Sequence, residues 1–315
     1  MKTTITKMIG ALAVATSLFG LSATAQAGDA DSCKAVRFAD VGWTDIQVIT
    51  GIAANVFDAL GYQSEVKTLS VPVTYASLKN KDIDVFLGNW MPSMTSDVKP
   101  YFDDKSVEQL QPPNLEGAGY GIVVPQYVAD AGVKSVADLN ANKDKFGGKF
   151  FGIESGNDGN RIIQTMIGDA KNNLAGWELV ESSEAGMLTE AEKAMKDNKW
   201  IVFLGWTPHP VMGEMKIAYL DGVVDYGFGP AKVYTNVRAN YLTECANAGK
   251  LVSNLRFNLK MEGDMMAPVL KDGKDPKVVA AEWIKANPDS INAWIDGVTA
   301  FDGSDAKAAV AKLLK

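Results

Sequence analysis

Apolar positions in this chain fall into short runs that alternate with longer amphipathic stretches. Two of the runs are near echoes, Val85-Phe86-Leu87-Gly88-Asn89-Trp90-Met91-Pro92 and Val202-Phe203-Leu204-Gly205-Trp206-Thr207-Pro208. Each is too short for an ordinary helix and is closed by Gly, then Trp, then a Pro suited to the first turn of a following helix. Both read as buried parallel strands. Further strands are expected over 34–39, 63–69, 149–154 and 177–181, with the second echo beginning at Trp200. A helix starts at Thr44, where Thr44 and Gln47 have capping-box spacing. Ile46, Ile49, Ala53, Val56, Phe57 and Leu60 fall on its one apolar face. Helices are also expected over 72–80, 161–171 and 184–199, and in the C-terminal part around Leu251, Trp283 and Trp294. Strands alternating with helices imply βαβ units and an α/β fold with a mostly parallel sheet.

In such a sheet ligands sit beyond the carboxyl ends of the strands, which singles out Trp43, Trp90 and Trp206. Asp45 lies in the first turn of the Thr44 helix, where the dipole favours an ionised carboxylate. Tyr120 stands in Gly117-Ala118-Gly119-Tyr120-Gly121. No strand precedes these glycines and no helix follows, so they are no dinucleotide fingerprint. They mark a strand start that either a ligand or a neighbouring chain segment approaches closely. The tip Ser155-Gly156-Asn157-Asp158-Gly159-Asn160 lacks calcium-loop spacing, and Asn157 remains as a helix cap and hydrogen-bonding group. Trp177, Trp200, Trp283 and Trp294 fall within elements and are assigned to packing. Pro112-Pro113-Asn114 breaks the pattern and marks a first crossing between two domains, expected as 28–113 with 222–315, and 114–221.

Composition adds an address. Lys2 and Lys7, an apolar segment over 8–21 and Ala25-Gln26-Ala27 form a secretory signal peptide over 1–27, too short to span a bilayer. The exported chain then starts near Gly28, with no Cys placed for a lipid anchor. Removing Lys2 and Lys7 from 31 basic residues leaves 29 against 38 acidic ones, a net charge of about −9. That balance disfavours nucleic acid and attracts small cations. The two cysteines, Cys33 and Cys245, can oxidise after export. Paired, they would restrain the unfolded chain by roughly 4 to 5 kcal/mol in the chain-entropy account; two separate buried thiols are the alternative. Catalysis finds little support. The single histidine, His209, lies between Pro208 and Pro210, and no nucleophile elbow, phosphate loop, metal-ligand set or cofactor motif is present.

Trp43, Trp90, Tyr120 and Trp206 fall two before the double proline and two after it, so closure of two domains brings them together. Converging aromatic faces select a cation that makes no hydrogen bonds, a quaternary ammonium, at about 0.5 to 2 kcal/mol per ring. On Gly42-Trp43-Thr44-Asp45, Gly88-Asn89-Trp90-Met91-Pro92 and Trp206-Thr207-Pro208-His209 the chain resembles the periplasmic substrate-binding proteins of quaternary-amine ABC importers, choline binders above all, over the whole exported part. The resemblance implies a bilobed periplasmic-binding-protein fold of type II and a cage of Trp43, Trp90, Tyr120 and Trp206. It also implies Asp45 and Asn157 at the ligand's hydroxyl end, and a periplasmic monomer serving a membrane permease and its ATPase. Choline is the expected ligand, with acetylcholine as a further candidate and glycine betaine as a weaker one. An ionised Asp45 would repel betaine's carboxylate by roughly 4 kcal/mol at 4 Å and an effective dielectric of about 20. The alternatives are a glycine betaine or proline betaine receptor and, in another class, an exported choline-ester hydrolase.

Overall fold

A computed structural model describes residues 28–314, so the expected signal peptide lies outside the described residues. Ten strands form one mixed sheet. They are β1 (Ala35–Asp40), β2 (Gln63–Thr68), β3 (Val85–Met91), β4 (Val107–Gln109), β5 (Leu115–Pro125), β6 (Lys149–Phe151), β7 (Glu178–Val180), β8 (Phe203–Thr207), β9 (Ile217–Tyr219) and β10 (Gly229–Arg238). The order is β2-β1-β3-β10-β5-β8-β6-β7, with β4 on β10 and β9 on β5. Both flanks are parallel, β1 pairing with β2 and β3, and β6 with β7 and β8. The antiparallel pairs lie at the middle, where β10 joins β3 to β5 and β5 joins β8. Two α/β lobes are thereby linked by long strands, β5 leading out and β10 leading back.

The echoed runs end differently from the expectation. β3 and β8 each continue through their Trp, because antiparallel partners extend the ladder: Trp90 pairs with Val233 and Trp206 with Tyr120. Pro92 and Pro208 consequently open no helix. Each follows a cis peptide bond, and the next helices begin at Thr95 and Pro210. Helix α1 (Thr44–Ala59) starts where the sequence pattern places it. The capping box does not form, since Thr44 is already helical and the preceding Trp43 makes no side-chain cap.

Helix α1 lies on β3 at Gly88, where a Cβ would stand 2.8 Å from Ile46 Cγ1. Its other faces pack on helices Leu259–Asp272 and Pro276–Ala286. The first of these has no counterpart in the sequence pattern; Pro268, inside it, interrupts the reading. Cys33, just before β1, is bonded to Cys245, just before helix Ala246–Asn254, with Cα atoms 5.6 Å apart. The two-thiol alternative is therefore excluded.

Candidate functional site

Gly42 adopts φ +84°, a turn that sends the chain from β1 into α1, and its N–H donates to Asp40 Oδ1 at 2.7 Å. Trp43 then stands in extended conformation at the helix entrance. Its indole Nε1–H donates to Glu154 Oε1 at 2.8 Å, across to the segment after β6. β3 supplies Trp90, β5 supplies Tyr120 and β8 supplies Trp206. Tyr120 and Trp206 are cross-strand neighbours with ring centroids 6.3 Å apart, nearly perpendicular, and Trp90 lies 6.0 Å from Tyr120. These rings, with Asp45, Ile153 and Asp158, line one cavity. Only 3 to 6 % of each of the four aromatic residues is exposed, so the walls are shut.

Five of the six expected residues thus share one cavity. Asn157 does not line it. Its Oδ1 accepts from the Tyr120 hydroxyl at 3.3 Å and from Asn160 N–H at 3.0 Å, capping helix Asp158–Gly168 from behind Tyr120. The glycines flanking Tyr120 divide. A Cβ on Gly121 would meet the Tyr219 ring at 3.1 Å, so a chain segment makes the close approach there, while at Gly119 the nearest atom, the Gly229 carbonyl oxygen, is 4.0 Å away.

Charge on the wall is acidic. Asp45 is fully buried with Oδ1 unpartnered. Burial, then the Glu184 charge, push its carboxyl up to about 8. The expectation of an ionised Asp45 is therefore overturned, because desolvation outweighs the helix dipole. Asp158, at the start of helix Asp158–Gly168, keeps Oδ2 unpartnered, and burial pushes it up to about 6. Behind the lining, burial raises Glu154 to about 7, while burial and the charge of Asp45 hold Glu262 well above the usual carboxylate range. No Lys or Arg lines the cavity.

His209 supports the wall from below. Its Nδ1 accepts from Met212 N–H at 3.2 Å, so Nε2 carries the proton and donates to Glu184 Oε1 at 3.0 Å. The ring meets Trp206 edge-on at 4.9 Å. The other oxygen of Glu184 accepts from Thr44 N–H at 2.8 Å and caps α1.

Sequence reasoning passed over Ile153, Asp158, Glu154, Glu184 and Glu262. For Asp158 and Glu184 a signal existed, since both open helices that follow strands, where side chains face the cleft. Glu262 sits on the helix that the pattern hid. Taken together, the cavity can hold a compact monocation by aromatic faces and uncompensated carboxyl groups, and it can meet a polar tail at Asp45.

The chain matches the family described as the substrate binding domain of ABC-type glycine betaine transport systems over residues 34–286. It is 33 % identical over 156 residues to the glycine betaine/carnitine transport binding protein GbuC of Listeria monocytogenes, half of this chain and 52 % of that protein. It is also similar to a solved ABC-transporter choline binding protein in complex with choline. That likeness has 51 % identity and a TM-score of 0.88, covering 91 % of this chain and all of that one. A choline binding protein solved in an unliganded semi-closed conformation is 52 % identical at TM-score 0.82, over 90 % of this chain and 99 % of that one.

Proposed function

The chain belongs to the family of substrate-binding domains of ABC-type glycine betaine transport systems, and on that premise we propose that it captures choline and delivers it to an importer's permease. The observation that carries the reading is the lining itself: three Trp rings, one Tyr ring and two buried carboxyl groups without a basic neighbour in the wall. In this reading Trp43, Trp90, Tyr120 and Trp206 hold the trimethylammonium head. Asp45 meets the hydroxyl, and Asn157 acts through Tyr120, whose hydroxyl it holds. The chain acts as a periplasmic monomer. The lobes are read as 28–113 with 222–315, and 114–221.

Glycine betaine is the second reading, favoured by the protonated state of Asp45, which removes the repulsion otherwise expected and lets the carboxyl donate to a carboxylate. Hydrolysis has less support, since both nitrogens of His209 are engaged in holding the wall. Titration calorimetry with choline, acetylcholine and glycine betaine at pH 8.5 tests the assignment. Choline binding tightest is the expected result, and betaine binding tighter than choline would overturn it.

A further inference from the structure

A ligand cannot enter the cavity as it stands, because its aromatic walls are almost wholly buried. The lobes must therefore part, and the bonds between them decide how long a ligand stays. Three such side-chain links lie away from Glu184. Trp43 reaches Glu154, Arg161 reaches Asp97 and the Ser93 carbonyl, and Lys271 pairs with Glu214 at the surface. None of these joins, through one side chain, both the α1 entrance and the support of Trp206.

Glu184 does. It opens helix Glu184–Lys196 in the second lobe, is 4 % exposed, and places one oxygen on the first turn of α1 in the other lobe, between the two lining residues Trp43 and Asp45. Its second oxygen holds His209, whose tautomer is set by Met212 N–H and whose ring abuts Trp206 at a near right angle. Resting on the capture reading above, we infer that Glu184 is a positioning residue that latches the closed state, fixing the α1 entrance and Trp206 through one carboxylate. The chemistry demands a carboxylate there. Both neighbours, Thr44 N–H and His209 Nε2–H, are donors, and a carboxylate offers an acceptor to each. A Gln amide offers one acceptor and turns its NH₂ against the other donor.

The test uses stopped-flow tryptophan fluorescence with choline, together with energy transfer between dyes at Val66 on β2 and Glu178 on β7, the two edges of the sheet. In Glu184→Gln the dissociation rate is expected to rise about tenfold or more, with the association rate within about twofold of wild type. The edge-to-edge distance should shift toward the open form. A second variant removes the opposite donor and leaves the Glu184 carboxylate in place. Thr44→Pro suits the first helical position and the extended Trp43 before it, and should raise the dissociation rate likewise. The double variant should then show overlapping rather than additive effects. Wild type that binds choline while both folded variants keep its dissociation rate and dye distance would overturn the latch and spare the capture reading. Wild type that binds no quaternary amine, with variants that still open, would overturn the capture reading and spare the latch.

Discussion

The hydroxyl of Tyr120 fills the space that a side chain on Gly159 would need: a Cβ there would stand 2.0 Å from Tyr120 Oη. Gly159 lies in the second position of helix Asp158–Gly168, where Ala would ordinarily add about 1 kcal/mol to helix stability. Gly159→Ala should do the reverse, displacing the ring into the cavity and lowering choline affinity about tenfold or more by calorimetry. Adding Tyr120→Phe removes the nearest clashing atom and should lift the melting temperature of the single variant. An Ala variant that binds like wild type would contradict this seat for Tyr120.

Trp90 and Trp206 each line the cavity from a different strand. Losing either removes a cation–π partner of about 0.5 to 2 kcal/mol together with apolar contact. Trp90→Ala and Trp206→Ala are therefore expected to lose more than about tenfold in choline affinity while keeping their far-ultraviolet circular dichroism. Near-wild-type binding in either variant would remove that ring from the cage.

Cation binding should be linked to proton release. In the empty cavity Asp158 titrates at about 6 and Asp45 at about 8, and a bound quaternary ammonium favours the ionised form of both. Choline affinity should accordingly rise as pH increases from about 5.5 to 8.5 and level off above. Asp45→Asn should flatten the upper part of that rise. Calorimetry in buffers of different ionisation enthalpy reads the protons directly, and net proton uptake on choline binding would contradict the scheme. Glycine betaine, meeting Asp45 with a carboxylate, should weaken over the same upper range.

The ligand-free protein should show the opposite pH trend in stability. Asp45 holds its proton up to about 8 when folded, against an ordinary value of 3.8. Its stabilising contribution is thus complete below the unfolded value and is lost as pH rises through the folded one. The difference in melting temperature between wild type and Asp45→Asn should narrow or change sign from pH 5 to 8.5 in favour of the Asn variant. A constant difference would place Asp45 in contact with solvent.

Cys33 and Cys245, 212 residues apart, close most of the described chain into one loop. Unreduced protein should show no titratable thiol. Cys245→Ser should lower the unfolding free energy by up to about 4 to 5 kcal/mol in denaturant melts, less where the unfolded chain keeps structure. A variant as stable as wild type would reduce the bridge to a dispensable tie.

Much of this protein was written in local pattern. Periodicity and breakers were enough to locate α1, β1 to β3 and the four rings, because a side chain's position on a strand tip or helix entrance depends on a few neighbours in sequence. The preference for aromatic faces over ionic contacts followed from residue type alone. What the pattern could not carry was every property set by distant partners. Trp90 and Trp206 lie inside strands because β10 and β5 extend their ladders. Thr44 is capped by a carboxylate 140 residues away rather than by itself. Asp45 keeps its proton because packing removes water from it and brings Glu184 near. Desolvation and Coulomb energy act over a few ångströms of space, and only the folded chain determines which groups come within that reach.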